Sequence, residues 1–313
     1  MATQGLQTRT TQPIAQRRRL LQRMLRYRWG YIFVLPWILV YLAFQLYPLL
    51  LSFYLTFFTY SFVNPDDLRF VGVGNWLRGL ADPLFWLSLF NILYNQTIFI
   101  VVKTGLGLAT ALLLKQVLRA GSLFRTIYFT PVVTSVIVLM LIGEYLVGPT
   151  GPIQSQLISW GVFEQPAFWK SSFWLPMPII ALINSWKWFG ISTVILLAGL
   201  LAIDSQLYES ASLDGANAWQ KFLFITIPQL RPQLFFLLVV DVINGLQMFS
   251  EVYALFDLYG GNHNQALTPV LYLYAQAFDS SNMGYASTLG LTLAAIIAFI
   301  TVLQFRFINR GNE

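Results

Sequence analysis

Side chains able to do chemistry are scarce in this chain, and most of them lie inside apolar runs. There are no cysteines, and the single histidine, His263, sits in a Gly/Asn-rich connection where it reads as a surface residue. Disulfides, thiolate metal sites and cysteine nucleophiles are thereby removed. No His pair, acidic cluster or nucleophile arrangement points to catalysis or to a metal site. No Walker-type Gly-rich loop is present, so the chain is not expected to bind ATP itself. What remains is polar residues embedded in hydrophobic stretches: Asn184, Trp186, Lys187 and Trp188 in one, and Asp241, Asn244, Gln247, Ser250 and Glu251 in another. Asn and Gln offer donors and acceptors, and Trp offers a face for stacking, which is the chemistry that binds a polyhydroxylated solute. Asn184, Lys187, Trp188, Asn244, Gln247 and Glu251 are the candidate solute-path residues. Asn244, Gln247 and Glu251 recur at helical spacing and on one continuous helix would share a face. The competing role for each is a hydrogen bond that ties one helix to another. Lys187, if buried, needs a partner; Glu144, Asp241 and Glu251 are the choices, and a phosphate-bearing solute is the alternative use.

The elements that must position these residues are membrane spans. Of 313 residues, 57% are hydrophobic and 10% charged, whereas soluble domains run near a quarter charged. The mean hydropathy is +0.62. Apolar runs long enough to cross a bilayer lie near Tyr31–Phe58, Leu89–Leu114, Ile127–Val147, Trp174–Ile203, Leu234–Phe256 and Tyr285–Phe307. The fold expected is an all-α membrane protein of six transmembrane helices. The first run is too long for a signal-peptide core and lacks a small-residue cleavage site, so it is expected to stay, bent at Pro36 or Pro48.

The net charge of +6 is carried largely by seven arginines ahead of the first span, a placement that sets topology and does not suggest nucleic-acid binding. Fourteen of the 19 Lys and Arg fall in the N-terminal tail, the Lys115–Arg125 connection, the Asp204–Pro232 loop and the C-terminal end. Only Arg69, Arg78 and Lys170 fall in the intervening loops; Lys103 and Lys187 lie inside spans. The positive-inside bias then places both termini and the Asp204–Pro232 loop in the cytoplasm. The organisation expected is a basic tail over residues 1–29, whose first dozen residues read as disordered, a membrane domain over 30–308 and a short cytoplasmic end at 309–313.

The loop over residues 204–232 is polar and amphipathic between two long apolar runs. Asp204 or Ser205 can cap a short helix with Glu209 in its early turns. Gly215 allows a sharp bend. A second short helix would then show Ala216, Trp219 and Leu223 as a stripe with Phe222 beside it, end at Pro228, and lead through Pro232 into the fifth span. The competing reading is an amphipathic loop on lipid headgroups, which the acidic Glu209 and Asp214 fit poorly.

Tyr208–Pro232 resembles the Glu-Ala-Ala loop of ABC importer permeases. Glu209, Ala211, Gly215, Ile225 and Pro228 match at the family's spacing, while Ser210 stands for a usual Ala and Ile227 for a usual Leu. Asp214-Gly215-Ala216 with Trp219, and Ile225-Thr226-Ile227-Pro228, are similar to the carbohydrate-uptake branch. So are Arg125-Thr126-Ile127-Tyr128-Phe129-Thr130-Pro131, Leu197-Ala198-Gly199-Leu200 and Tyr259-Gly260-Gly261, although Asn262 replaces the usual Pro. The nearest shape is the maltose- and glycerol-phosphate-type first permease of a heterodimeric pair. The resemblance implies type I ABC importer architecture in a bacterial-type plasma (inner) membrane. It implies that Glu209, Ala211, Asp214, Gly215, Ala216 and Pro228 couple to an ATPase. The expected partners are a second permease, two ATPase subunits that bind ATP-Mg, an extracytoplasmic sugar-binding protein and a carbohydrate; no cofactor is expected on this chain. The alternative is an ion-coupled secondary transporter, which would need midplane carboxylates on broken helices and no coupling elbow.

Overall fold

The computed structural model describes residues 28–116, 128, 130–162 and 164–309. The basic tail through residue 27, most of the connection between the second and third spans with Arg125–Ile127 of the third-span motif, and residues 310–313 lie outside the described residues. The chain divides into two compact units, Met1–Tyr54 and Leu55–Glu313.

The first unit is a membrane-span helix, Trp29–Leu55. It runs as α1 (Arg28–Tyr41), a π turn over Leu42–Leu46, and α2 (Tyr47–Leu55). The widened turn falls immediately before Pro48. A proline has no N–H to donate, and its ring crowds the carbonyl four residues back, here Phe44. Opening one turn to a five-residue spacing, with the Tyr47 N–H on the Leu42 carbonyl, relieves that conflict without ending the helix. Pro36 sits inside α1 with no such interruption.

The second unit opens with a two-residue hairpin, β1 (Phe58–Thr59) antiparallel to β2 (Arg69–Phe70), followed by α3 (Gly74–Leu80). The 34-residue α4 (Pro83–Gln116) and α7 (Pro176–Leu201) form its central pair. Gly107 lets them close: a Cβ there would stand 2.6 Å from the Ser192 Cβ. Small residues are what permit such approach between spans, since lipid offers no hydrophobic drive for it. Between them in sequence come α5 (Val136–Val147) and α6 (Pro152–Ser159). After α7 follow α8 (Ser205–Leu213), α9 (Ala218–Lys221), a π turn at Phe222–Thr226, α10 (Ile227–Gln229) and α11 (Arg231–Gly245). The chain closes with α12 (Ser250–Leu255), α13 (Pro269–Tyr274), a π turn at Ala275–Asp279 and α14 (Met283–Asn309). Five helices are long and apolar enough to cross a membrane, or six when the pair Ala218–Gln229 and Arg231–Gly245, bent by 61°, is taken as one broken span.

Two apolar clusters hold this unit. The larger gathers Phe85, Leu89 and Ile92 of α4 with Met140, Met177, Ile180, Leu267 and Leu289. The smaller joins Ala111 of α4 to Leu196, Leu200, Leu230 and Leu237. At the end beyond the first cluster, three loops interlock. The Tyr60 carbonyl accepts from the Met283 N–H, Gln265 Nε2 donates to the Lys170 carbonyl, and Asn91 Nδ2 donates to the Asn264 and Leu267 carbonyls. The Thr59–Ser88, Gly148–Phe173 and Asp257–Gly284 connections thus share one end, as the charge pattern requires. They are not plain loops, for they carry the hairpin, α3, α6 and α13.

Two expected spans are corrected. Leu234–Phe256 is not one helix: α11 stops at Gly245, a turn crosses Leu246–Phe249, and α12 starts at Ser250. Glycine favours helix poorly, and the freed Met248 carbonyl accepts from Thr268 Oγ1 at 2.9 Å. Asn244, Gln247 and Glu251 therefore do not lie on one continuous helical face. The third span is also interrupted, at Thr134–Ser135, before α5.

Candidate functional site

Between the two clusters, α4, α7 and α11 part around a cavity of about 590 Å³. From α4 come Gln96, Phe99 and Lys103; from α7 come Asn184, Trp188, Ile191 and Ile195. Phe236, Leu237, Val240, Asp241, Asn244 and Gly245 of α11, with Met248 and Glu251, close the wall. An ion pair crosses the wall from α4 to α11. Lys103 Nζ donates to Asp241 Oδ1 at 2.5 Å, with both side chains almost wholly buried. Burying a charge costs several kcal/mol unless it is paired, so each of these residues depends on the other.

The remaining polar atoms are arranged less evenly. Gln96 Nε2 donates to Asn95 Oδ1 at 3.2 Å, and Asn95 Nδ2 donates to the Met177 carbonyl at 2.8 Å. That chain spends the amide hydrogens and leaves Gln96 Oε1 without a partner. Asn184 Oδ1 and Asp241 Oδ2 are likewise buried and unpartnered, and all three residues line the cavity. Buried polar atoms are normally satisfied, so three free acceptors facing one space mark a site.

Four of the six residues singled out in sequence line this cavity: Asn184, Trp188, Asn244 and Glu251. Two do not. Gln247 is exposed and folds its Nε2 back onto the Ile243 carbonyl at 2.7 Å. Lys187 is buried but takes none of the three carboxylates offered in sequence. Its ammonium donates to the carbonyls of Pro131 at 3.2 Å, Val132 at 3.1 Å and Thr134. Those carbonyls are released where the third span breaks, so Lys187 caps a helix end, where positive charge is favoured. Glu144 pairs with Lys170, and Asp241 with Lys103. Gln96, Phe99 and Lys103 were not singled out as solute-path residues; the one signal for them was a lysine inside an apolar run.

The loop at the opposite end folds as two short helices. Asp204 Oδ1 accepts from the Gln206 N–H at 2.9 Å and caps α8. Gly215 then takes φ +82, the left-handed region. The Ala216 N–H reaches the Ala211 carbonyl at 2.8 Å and the Gly215 N–H the Ser212 carbonyl at 3.1 Å, a Schellman turn built on that glycine. Asn217 and Gln220 form a reciprocal capping box that starts α9. Tyr208 Oη and Thr226 Oγ1 lie 3.0 Å apart and tie the two arms. The expectation that Pro228 ends the second helix is corrected. The π turn at Phe222–Thr226 absorbs the missing N–H, the helix continues to Gln229, and the chain bends after it, at Leu230. Glu209, Asp214 and Gly215 are exposed, while Ala211, Ala216 and Pro228 are half-buried. Trp219 stacks on Phe222 at 5.5 Å yet stays 65% exposed, and Leu213 and Phe224 are more exposed still.

Comparison with known proteins agrees with this architecture. Residues 103–310 match the family described as binding-protein-dependent transport system inner membrane component. The chain is 34% identical to the lactose transport system permease protein LacF of Rhizobium radiobacter, over 88% of this chain and 92% of that one. It is 32% identical to the arabinooligosaccharides transport system permease protein AraP of Bacillus subtilis, over 88% and 87%. Among solved structures it is similar to a chain of a bacterial ABC transporter involved in import of the acidic polysaccharide alginate. That match has a TM-score of 0.78 and 22% identity, covering 94% of this chain and all of the other.

Proposed function

We propose how this chain works within the family to which it belongs, the binding-protein-dependent transport system inner membrane components: it is the multi-pass inner-membrane permease subunit of an ABC importer for carbohydrate. The cavity between α4, α7 and α11 is its share of the translocation path, with Asn184, Trp188, Asn244 and Glu251 on the wall. Lys187 and Gln247 border that path and shape it from outside. The Ser205–Gln229 elbow lies on the cytoplasmic side with both termini, and it docks an ATPase subunit through Glu209, Ala211, Asp214, Gly215, Ala216 and Pro228. A second permease completes the path, two ATPase subunits hold ATP-Mg, and an extracytoplasmic binding protein delivers the sugar. The chain itself is non-catalytic and carries no cofactor.

The observation that carries this reading is the elbow's shape. Large apolar side chains (Leu213, Trp219, Phe224) stand exposed on a rigidly capped two-helix unit whose bend depends on one positive-φ glycine. Fixing such groups in water is unfavourable unless a partner covers them. Conformational work would pass along the elbow into α11, which carries six of the cavity-lining residues.

The test uses the complete transporter with Gly215→Val and Glu209→Lys. A β-branched residue at φ +82 costs about 1–2 kcal/mol in backbone strain and opens the turn. Both variants are expected to reach the membrane while losing ATPase co-purification and sugar-stimulated ATP hydrolysis. Normal assembly with the ATPase and unimpaired uptake in both would refute the docking role.

A further inference from the structure

We infer that the cavity between α4, α7 and α11 selects uncharged, hydroxyl-rich saccharides by accepting their hydrogen bonds and turns away acidic ones; this rests on that cavity being the solute path. Three unpartnered buried atoms face it, Gln96 Oε1, Asn184 Oδ1 and Asp241 Oδ2, and all three are acceptors. The residues that own them are at most 6% exposed. A sugar hydroxyl brings the missing donor, whereas a carboxylate or phosphate brings only more acceptors.

Charge points the same way. Among the described lining residues Lys103 is the one cation, and it is already held by Asp241. Lys187 is turned away onto backbone carbonyls. Glu251 and the free oxygen of Asp241 therefore set the sign of the cavity, and in a low-dielectric wall a second anion is repelled far more strongly than in water. Phe99, Trp188 and Phe236 supply ring faces for the apolar side of a pyranose. The fold does not dictate this selectivity, since the structure it resembles belongs to an importer of an acidic polysaccharide.

Gly245 sets the position of one acceptor. A Cβ on it would run into the end of the Gln96 carboxamide, so only glycine lets that group lie against α11. The obstructing atoms are the tip of a flexible side chain. An alanine therefore displaces the amide without disturbing the backbone.

The experiment holds the complete transporter in nanodiscs without its binding protein and reads ligand contact by saturation-transfer difference NMR. The probes are lactose, maltose and dimannuronate. Wild-type protein is expected to give signal on a neutral disaccharide and none on dimannuronate. Gly245→Ala and Gln96→Met are each expected to weaken neutral binding ~5–10-fold, the loss of one buried hydrogen bond. Signal on dimannuronate equal to that on the neutral probes overturns the charge selectivity, and neutral binding unchanged in both variants overturns the assignment to these acceptors. Absence of signal on both neutral probes overturns the inference as well. A transporter that still imports sugar in any of these cases loses the inference and keeps the permease reading, because uptake is scored separately.

Discussion

Lys103 and Asp241 are 6% and 7% exposed at the side chain, and they join α4 to α11 across the cavity wall. Lys103→Met removes the one cation within reach of a buried carboxylate whose second oxygen is already unpartnered. Breaking a buried ion pair from one side typically costs 3–5 kcal/mol, most of it the uncompensated charge left behind. Asp241→Asn leaves the ammonium buried in the same way and is expected to cost a similar amount. The double variant Lys103→Met/Asp241→Asn buries no charge and should recover to within about 1–2 kcal/mol of wild type, because a desolvated pair contributes little net stability over neutral groups. At about 2–4 °C per kcal/mol for a domain of this general size, each single change lowers the apparent unfolding midpoint by roughly 6–20 °C. The assay is tryptophan fluorescence of the detergent-held complete transporter at one scan rate, run as a double-mutant cycle. Additive losses, with the double variant as unstable as the two singles together, would refute the pairing argument, as would single variants that melt like wild type.

Three further outcomes follow from the packing. Gly190→Ala drives a Cβ into the Tyr128 carbonyl oxygen, a backbone atom that cannot swing aside, and should cost about 1–3 kcal/mol by thermal midpoint. Gly105→Ala, with nothing within 4 Å, should be neutral or stabilising by up to ~1 kcal/mol, the intrinsic helix preference for alanine. Lys187→Met leaves the carbonyls of Pro131, Val132 and Thr134 without a charged donor and should lower the midpoint by the equivalent of about 2–3 kcal/mol. At Asp82, burial raises the carboxyl pKa, but hydrogen bonds from the Tyr272 and Tyr285 hydroxyls and from the Leu84 and Phe85 amides outweigh it, and the native value is lowered. Its stabilisation is then full above the unfolded aspartate value of about 3.9 and is lost as pH falls through the lowered native value. The midpoint difference between wild type and Asp82→Asn should therefore shrink on acidification below about pH 4; a difference that stays constant would show that the carboxylate charge is not what matters there.

Legibility in the sequence divides along physical lines. The elbow was readable nearly residue by residue because its signals are local: an Asp ahead of a helix, a glycine at the turn, small and aromatic residues at helical spacing. Even there, Pro228 was expected to stop a helix that in fact continues through a π turn, since a proline's effect depends on whether the preceding turn can widen. The cavity was only half readable. Asn184, Trp188, Asn244 and Glu251 stood out as polar residues in apolar runs, while Gln96 and Phe99 in the second span looked ordinary. Lys187 showed the limit most sharply: charge arithmetic offered three carboxylates, and the structure supplied three backbone carbonyls from a break that hydropathy does not register.

The number and order of spans, the common side of the basic segments, the bend at Gly215 and the family itself were determined by sequence alone. Each depends on composition, or on residues within a few turns of one another, where transfer energies and backbone propensities act independently of the rest of the chain. Which polar groups meet was decided only by tertiary structure. Lys103 and Asp241 are 138 positions apart, and their pairing depends on how closely α4 approaches α7 at Gly107 and on where α11 stops at Gly245. In a bilayer the apolar surface of one helix serves as well as another's. The partner choices of buried polar groups are therefore set by shape at small residues, which no window of sequence contains.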